Sequence, residues 1–160
     1  AGMRSPPLVI RDATRADAEF VGAHLRASDV REMALLGLDA SQVVRSFEVS
    51  DIVRTIETEG RPVAVFGRAP VPGQEGVGAV WMLATDELDH VRHDFVMACK
   101  PELLRLHDGC RRLANLTART NSTVIRWLDW LGFTFDWGRP FGPGGEFVVF
   151  WHDHEGEQHV

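Results

Sequence analysis

The stretch Asn121–Phe133 constrains the fold more than any other part of this 160-residue chain. Its apolar residues at positions 124, 127, 128 and 131 recur at the spacing of one helix face. Asn121 is a favourable N-cap, and Gly132 can supply the left-handed residue that ends a helix. A helix of about ten residues is too short to be stable alone. We therefore expect its apolar face to pack against a neighbouring element, for which the strand predicted at Leu113–Ala118 is the nearest candidate.

The remaining patterns predict one domain over residues 3–154, in which strands and helices interleave around one sheet. Alternating or apolar runs predict strands at Leu8–Ala13, Ile52–Glu59, Val63–Gly67, Gly78–Ala84, Phe133–Trp137 and Phe147–Trp151. Helices are expected after Thr14, from Ser28 or Asp29, after Ser41, and over Asp86–His107 with a break or kink near Lys100 before Pro101. We interpret residues 1–2 as a cloning remnant and residues 155–160 as a flexible tail.

Composition narrows the classes of function. The net charge of −6 argues against a nucleic-acid-binding protein, which needs a basic surface. No apolar run reaches membrane-spanning length, and the N-terminus has no apolar core of a signal peptide. The two cysteines, Cys99 and Cys110, have no metal-type spacing and are expected to be reduced thiols. These features favour a cytoplasmic protein without membrane contact.

Several segments also resemble a known group of proteins. The pattern Asn121-x-x-small followed by Leu-Gly-Phe is similar to the last conserved helix of the GNAT acyltransferase superfamily. Further matching segments begin at Ala27, Pro62, Trp81 and Phe141, and together they resemble phage and prophage proteins of the T7-type internal virion protein A family. The resemblance implies a GNAT-like α/β (mixed α+β) fold, with a mixed, mostly antiparallel central sheet flanked by helices. It also implies a phage or host protein partner and, for a virion-associated protein, a role in assembly or in the infected cell.

The GNAT resemblance further implies acetyl-CoA as cosubstrate and an amine as acceptor. If CoA binds, the candidate contact residues are Trp81, Met82, Leu83, Arg92, His93 and Asn121, of which Asn121 matches a position that often touches the CoA arm. An N-cap role explains Asn121 without any ligand. No metal is expected, because His90, His93 and Asp94 lack a third fixed ligand. His152 and His154 are expected to be solvated.

The chain departs from the GNAT pattern at two places. The stretch Ala84–His93 contains no glycine and carries three acids where backbone N–H groups usually bind pyrophosphate. The position of the usual tyrosine acid is Leu128, and the chain contains no tyrosine. Substitutes for the general base are Glu32, Glu48, Asp51 and Asp86, and substitutes for the acid are Cys99, Cys110, a histidine or water.

Three functions follow from these observations. The first is a phage-type GNAT-fold protein with degraded acyl transfer. The second is an acetyl-CoA-dependent N-acyltransferase with unusual CoA contacts and an unusual proton donor. The third is a module of the same fold that binds another small ligand or a protein. Fold alone does not choose between them.

Overall fold

The computed structural model describes residues 7–154, which form one seven-stranded sheet with five helices. The strands are β1 (Leu8–Asp12), β2 (Ile52–Thr58), β3 (Arg61–Pro70), β4 (Val77–Ala84), β5 (Arg112–Ala118), β6 (Thr134–Phe135) and β7 (Phe147–Asp153). The helices are α1 (Arg15–Ala23), α2 (Ala27–Leu35), α3 (Gln42–Val49), α4 (Arg92–Leu106) and α5 (Ser122–Trp130). The expected cloning remnant and tail lie outside the described residues, and the domain bounds stay a prediction.

The sheet has the strand order β1-β2-β3-β4-β5-β7-β6, and only the β4–β5 pair is parallel. This confirms the expected mixed, mostly antiparallel sheet. Helices cover both faces. Val21 of α1 and Val43 of α3 form a small core with Val65, whereas a larger core joins α4 and α5 to the opposite face. Leu128 and Leu131 of the α5 stripe are buried in this larger core.

Local signals explain the start of α1 and both ends of α5. Thr14 and Asp17 form a full capping box at the start of α1. Asn121 Oδ1 accepts from the Val124 N–H at 3.3 Å and caps α5. Gly132 has the left-handed φ of 96° expected after a helix, and Phe133 turns inward to 6% exposure.

Helix α4 runs through Pro101 to Leu106 without interruption, so the predicted break near Lys100 is absent, and the alternative of a kink stays a prediction. Proline removes the N–H that would bond the Met97 carbonyl, but this part of the helix faces solvent, where water can satisfy the carbonyl. The true discontinuity comes earlier, since a 3-10 turn over Asp86–Val91 precedes α4. Packing of Phe95, Cys99 and Leu106 holds α4 together on both sides of the proline.

Other boundaries differ because tertiary contacts override local signals. Helix α2 begins at Ala27 after Arg26, since the Asp29 carboxylate bonds elsewhere instead of capping. The strand expected at Phe133–Trp137 shrinks to the two residues of β6. Strand β3 extends from Arg61 to Pro70, because it pairs with β2 on one side and β4 on the other.

A buried guanidinium joins three elements at the end of the sheet. Arg68 on β3 is 6% exposed, and its Nη1 donates to the carbonyl oxygens of Leu106 and Asp108 at the end of α4. Its Nε and Nη2 bond both carboxylate oxygens of Asp51, at 3.2 and 2.7 Å. The side chain lies over Gly78, where an added Cβ would come within 2.5 Å of Arg68 Cγ. Only glycine at position 78 leaves room for this contact.

We expect Arg68→Met to lower the free energy of unfolding by about 2–4 kcal/mol, because two helix-end carbonyls lose a charged donor. Urea denaturation of both proteins measures the difference. Arg61→Met on the same strand is the matched control, since Arg61 is exposed and its contact with Glu59 spans 3.8 Å. Equal losses in the two variants would contradict the structural role of Arg68.

A histidine cluster lies beside this joint, which corrects the expectation that His152 is simply solvated. His107 is 3% exposed, and its Nε2 lies 2.8 Å from His152 Nδ1. Its Nδ1 lies 3.1 Å from the Cys110 carbonyl oxygen, so Nδ1 carries the proton and Nε2 accepts. The His154 ring meets His107 edge-on at 5.2 Å.

Burial, together with His152 and His154, lowers the pKa of His107, whereas the Cys110 carbonyl and Asp153 act in the opposite direction. Because the pKa of His107 is lower in the folded protein than in the unfolded chain, the folded state is favoured when the imidazole is neutral. This stability is full above the ordinary histidine value of about 6.5 and declines as pH falls below it. We expect the melting temperature to fall with decreasing pH once the pH is below about 6.5. The fall should be smaller in the variant His107→Gln, which has no imidazole to protonate. An identical pH profile in the variant would assign the drop to other groups.

Candidate functional site

The site begins where β4 and β5 separate. The two strands pair only at Val77–Ala79 and Arg112–Ala114. Beyond these residues β4 stays paired with β3, and β5 stays paired with β7, so the sheet opens into a gap. A strand edge inside a sheet normally satisfies its backbone groups through the neighbouring strand. Here the edge of β4 from Val80 to Ala84 must find other partners.

A cavity of about 360 Å³, here called the central cavity, passes through this gap. Helix α2 lines one side of it, and helices α4 and α5 line the other. The strands contribute Val80, Trp81, Met82, Leu83, Asn115, Leu116 and Thr117 to its walls. Two carboxylates, Asp29 and Glu32, face it from α2, whereas its α4 and α5 side is largely apolar. Size and lining suit a small organic ligand.

A second cavity of about 370 Å³, the outer cavity, lies between the start of α4 and helix α5. Arg26, Met82, Val124 and Trp127 line both cavities, so the two are adjacent. The outer cavity carries three arginines, at positions 26, 92 and 126, against one acid, Asp89. Arg92 is paired with Asp89 at 3.2 Å, and both are exposed. This end of the site can attract anions.

Every second residue of β4 directs its backbone N–H and carbonyl toward the gap, and the residues between them direct theirs toward β3. The Thr85 N–H donates to Val63 of β3, so the next residue inward, Ala84, faces away from β3. Its N–H donates to Asp29 Oδ2 at 2.9 Å, and its carbonyl accepts from the Arg26 N–H at 2.9 Å. Two residues earlier, Met82 therefore directs its N–H and carbonyl into the central cavity.

Asp29 is the most perturbed acid of the site. It is 8% exposed, and both of its hydrogen bonds, from Arg26 Nε at 3.0 Å and from the Ala84 N–H, are made by Oδ2. Burial raises the pKa of this carboxyl, and nearby Glu32 adds to the rise, whereas Arg26 opposes it. A carboxyl of raised pKa facing a cavity is a typical proton acceptor. The sequence indicated Asp29 only as a helix start.

Glu32 links α2 to the far side of the gap. Its Oε1 accepts from Thr117 Oγ1 at 2.9 Å and from the Ala118 N–H at 2.8 Å. Its Oε2 accepts from Asn121 Nδ2 at 3.2 Å, so the cap residue of α5 is also tied to α2. Glu32 is the one expected base substitute that lines the central cavity, since Glu48, Asp51 and Asp86 do not. Its three bonds favour a positioning role.

One indole N–H of the cavity wall lacks a conventional partner. Among residues 7–154, three buried side-chain polar atoms make no hydrogen bond, and only Trp127 Nε1 belongs to a cavity residue. It lies beside Cys99, whose thiol also lines the central cavity. Burial raises the pKa of Cys99 to about 11, and the indole N–H acts against this rise. Cys99 therefore stays a neutral thiol at physiological pH.

In the turn after β4, one backbone N–H is bonded by a side chain of the same turn. Thr85 caps it as expected, because its Oγ1 accepts from the Glu87 N–H at 3.3 Å. Asp86, Glu87 and Asp89 are exposed around this turn. Their negative charges oppose the binding of a phosphate close to this turn.

The residues that the sequence indicated for CoA divide into two groups. Trp81, Met82 and Leu83 line the central cavity, and Arg92 lines the outer one. His93 lines neither, and Asn121 is occupied by the α5 cap and by Glu32. Within the described range 7–154, no three His, Cys, Asp or Glu side chains are grouped to hold a metal ion. None of the helices that the structure describes is long and apolar enough to cross a bilayer.

Comparisons with known proteins agree on the architecture. An acetyltransferase from Thermus thermophilus superposes with a TM-score of 0.67 at 18% identity, over 95% of this chain and 100% of that one. The GNAT domain of S. lividans PAT gives 0.66 at 17% identity, over 91% and 89%. The Salmonella typhimurium protein yncA, solved with its cofactor acetyl-CoA, gives 0.64 at 14% identity, over 96% and 99%.

No protein-family model and no curated protein matches the chain. The resemblance to internal virion protein A thus has no support in these comparisons. The structural likenesses have low sequence identity and establish architecture alone, but each covers nearly the whole chain. The chain has the GNAT fold, a mixed α/β fold with a mostly antiparallel sheet flanked by helices.

Proposed function

We propose that the chain is an N-acyltransferase that takes an acyl group from acetyl-CoA and transfers it to an amine. The observation that carries the proposal is the cavity that passes through the sheet along the free edge of β4. The pantetheine arm of CoA is a narrow chain with two amides, and such a chain can pair with strand backbone. The known structure of yncA with acetyl-CoA supports this choice of ligand.

The residues present fit such a ligand. Met82 offers a backbone N–H and carbonyl to the arm, and apolar side chains of α4 and α5 surround it. Arg126 provides positive charge for the phosphates at the outer cavity, where Arg26 and Arg92 are already paired with Asp29 and Asp89. When bound, the thioester supplies the acyl group.

The acceptor side of the central cavity favours an amine. Asp29 and Glu32 lie there, and the rest of that side includes the apolar side chains of Met33 and Leu36. Carboxylates attract a protonated amine, and Asp29, whose pKa burial raises, can accept the proton that the amine must lose. Glu32 holds α2 against β5 and α5, which keeps Asp29 beside the gap.

Titration calorimetry with acetyl-CoA tests binding. We expect Arg126→Gln to raise the Kd about two- to fivefold and Asp89→Asn to lower it by a similar factor, because both are exposed charges at the outer cavity. Arg61→Gln, at the start of β3 and outside both cavities, is the matched control and should leave the Kd unchanged. Absence of binding in every protein, including Asp89→Asn, would reject the proposal.

Asp29→Asn tests the proton acceptor. We expect its kcat to fall about 10²–10⁴-fold with little change in acetyl-CoA affinity, since the amide keeps the shape but accepts no proton. In the parent, kcat should rise with pH as the carboxyl ionises, with a midpoint above the ordinary aspartate pKa of about 3.9. Parent-like kcat in the variant, with an unchanged melting temperature, would exclude Asp29 as base.

We also propose a second candidate, a GNAT-fold protein that has lost acyl transfer and acts on a phage or host protein, in the virion or in the infected cell. The observation that favours it is the acidic turn after β4. This turn carries Asp86, Glu87 and Asp89, and its Glu87 N–H is already bonded to the Thr85 side chain. Capture of a defined partner by a protein that fails to bind acetyl-CoA would support it. Turnover with any amine would exclude it.

A further inference from the structure

One polar side chain crosses the gap between β4 and β5. Asn115 is the first residue of β5 beyond the paired segment that ends at Ala114. Its Nδ2 donates to the Val80 carbonyl oxygen at 2.5 Å, and its Oδ1 accepts from the Leu116 N–H at 2.7 Å. The side chain thus spans from one separating strand to the other.

This contact extends the hydrogen bonding between β4 and β5 by one bond beyond the paired residues. Val80 is the first residue of β4 whose carbonyl would meet a strand if β5 had not turned away. A primary amide on a short side chain can stand in for a strand N–H, because both are planar amide donors. The bond satisfies a backbone acceptor that would otherwise face the cavity.

The same acceptor is one that a ligand arm would need. The peptide groups of β4 that face the gap run in order from Val80 through Met82 to Ala84, and Ala84 is bonded by Asp29 and Arg26. Only Val80 and Met82 therefore lie where an extended amide chain could pair with β4. With Asn115 bonded, the Val80 carbonyl already has one amide donor.

We propose that Asn115 is a latch on the acyl-thioester site, which closes the gap in the free protein and must release Val80 when the amide-bearing arm binds. The inference rests on the proposed function. The side-chain amide makes on β4 the bond that an amide of the arm makes in its place. Binding then exchanges one donor for another, and the lost Asn115 bond weakens the measured affinity.

Calorimetry with acetyl-CoA measures the effect of the latch. We expect Asn115→Ala to lower the Kd about two- to tenfold, the change that corresponds to one net hydrogen bond. Asn115→Leu keeps side-chain volume without the donor, so it separates the bond from simple widening of the gap. Unchanged or weaker binding in both variants, with parent-like melting temperatures, would overturn the latch.

Nuclear magnetic resonance of the side-chain amides measures whether the Asn115 hydrogen bond is present, and it needs no enzymatic turnover. The chain contains only two asparagines, at positions 115 and 121, and the loss of one signal in Asn115→Leu assigns it. We expect slow solvent exchange of the Asn115 amide protons in the free protein, and a shifted, faster-exchanging signal when acetyl-CoA saturates it. Gln74, in the β3–β4 loop, is the internal control. A saturated protein whose Asn115 signal does not change would overturn the inference.

The two failures can be told apart. If the parent binds acetyl-CoA and the Asn115 variants bind equally, the latch is wrong and the proposed function stands. If the parent does not bind but Asn115→Ala does, the latch is supported in its strongest form, with the gap closed to ligand. If neither the parent nor any variant binds acetyl-CoA, the proposed function is wrong, and the inference about Asn115 is rejected as well.

Discussion

Early separation of β4 from β5 leaves a strand edge in the middle of the sheet, and the site is arranged around it. Backbone groups at such an edge are costly when buried without partners. The chain meets this demand with groups from outside the sheet. Asp29 and the Arg26 N–H bond one end of the edge, and Asn115 bonds the other. Met82, between them, keeps its peptide groups for the cavity.

These partners place the start of α2 both at the sheet edge and at the wall of the central cavity. Arg26 and Asp29 are bonded to each other and to the end of β4, and they line the central cavity. Glu32, one turn later, fixes the same helix to β5 and α5. A carboxyl of raised pKa is thereby held beside a gap without freedom to move away. The atoms that satisfy the backbone at the sheet edge also hold the carboxylate that is proposed as the proton acceptor.

The parts of this arrangement that depend on local signals are predictable from the sequence. The caps at Thr14 and Asn121 follow from short-range patterns, and the apolar run of β4 correctly indicated a central strand. Asp29 and Asn115 were missed, because a lone acid at a helix start or a lone amide in a strand has no distinctive pattern. Their roles arise only when the gap brings remote elements together. The continuity of α4 through Pro101 is hidden from the sequence for the same reason, since packing on both sides of the proline outweighs its local preference.

The contact between Arg68 and Gly78 has an evolutionary consequence. Any side chain at position 78 would collide with the stem of Arg68, and without that stem the carbonyls at the end of α4 lose their donor. A change at one position is therefore tolerated only with a compensating change at the other. In an alignment of true relatives, positions 68 and 78 should co-vary, with glycine retained wherever arginine is. A relative with a bulky residue at 78 must close the end of α4 by a different group.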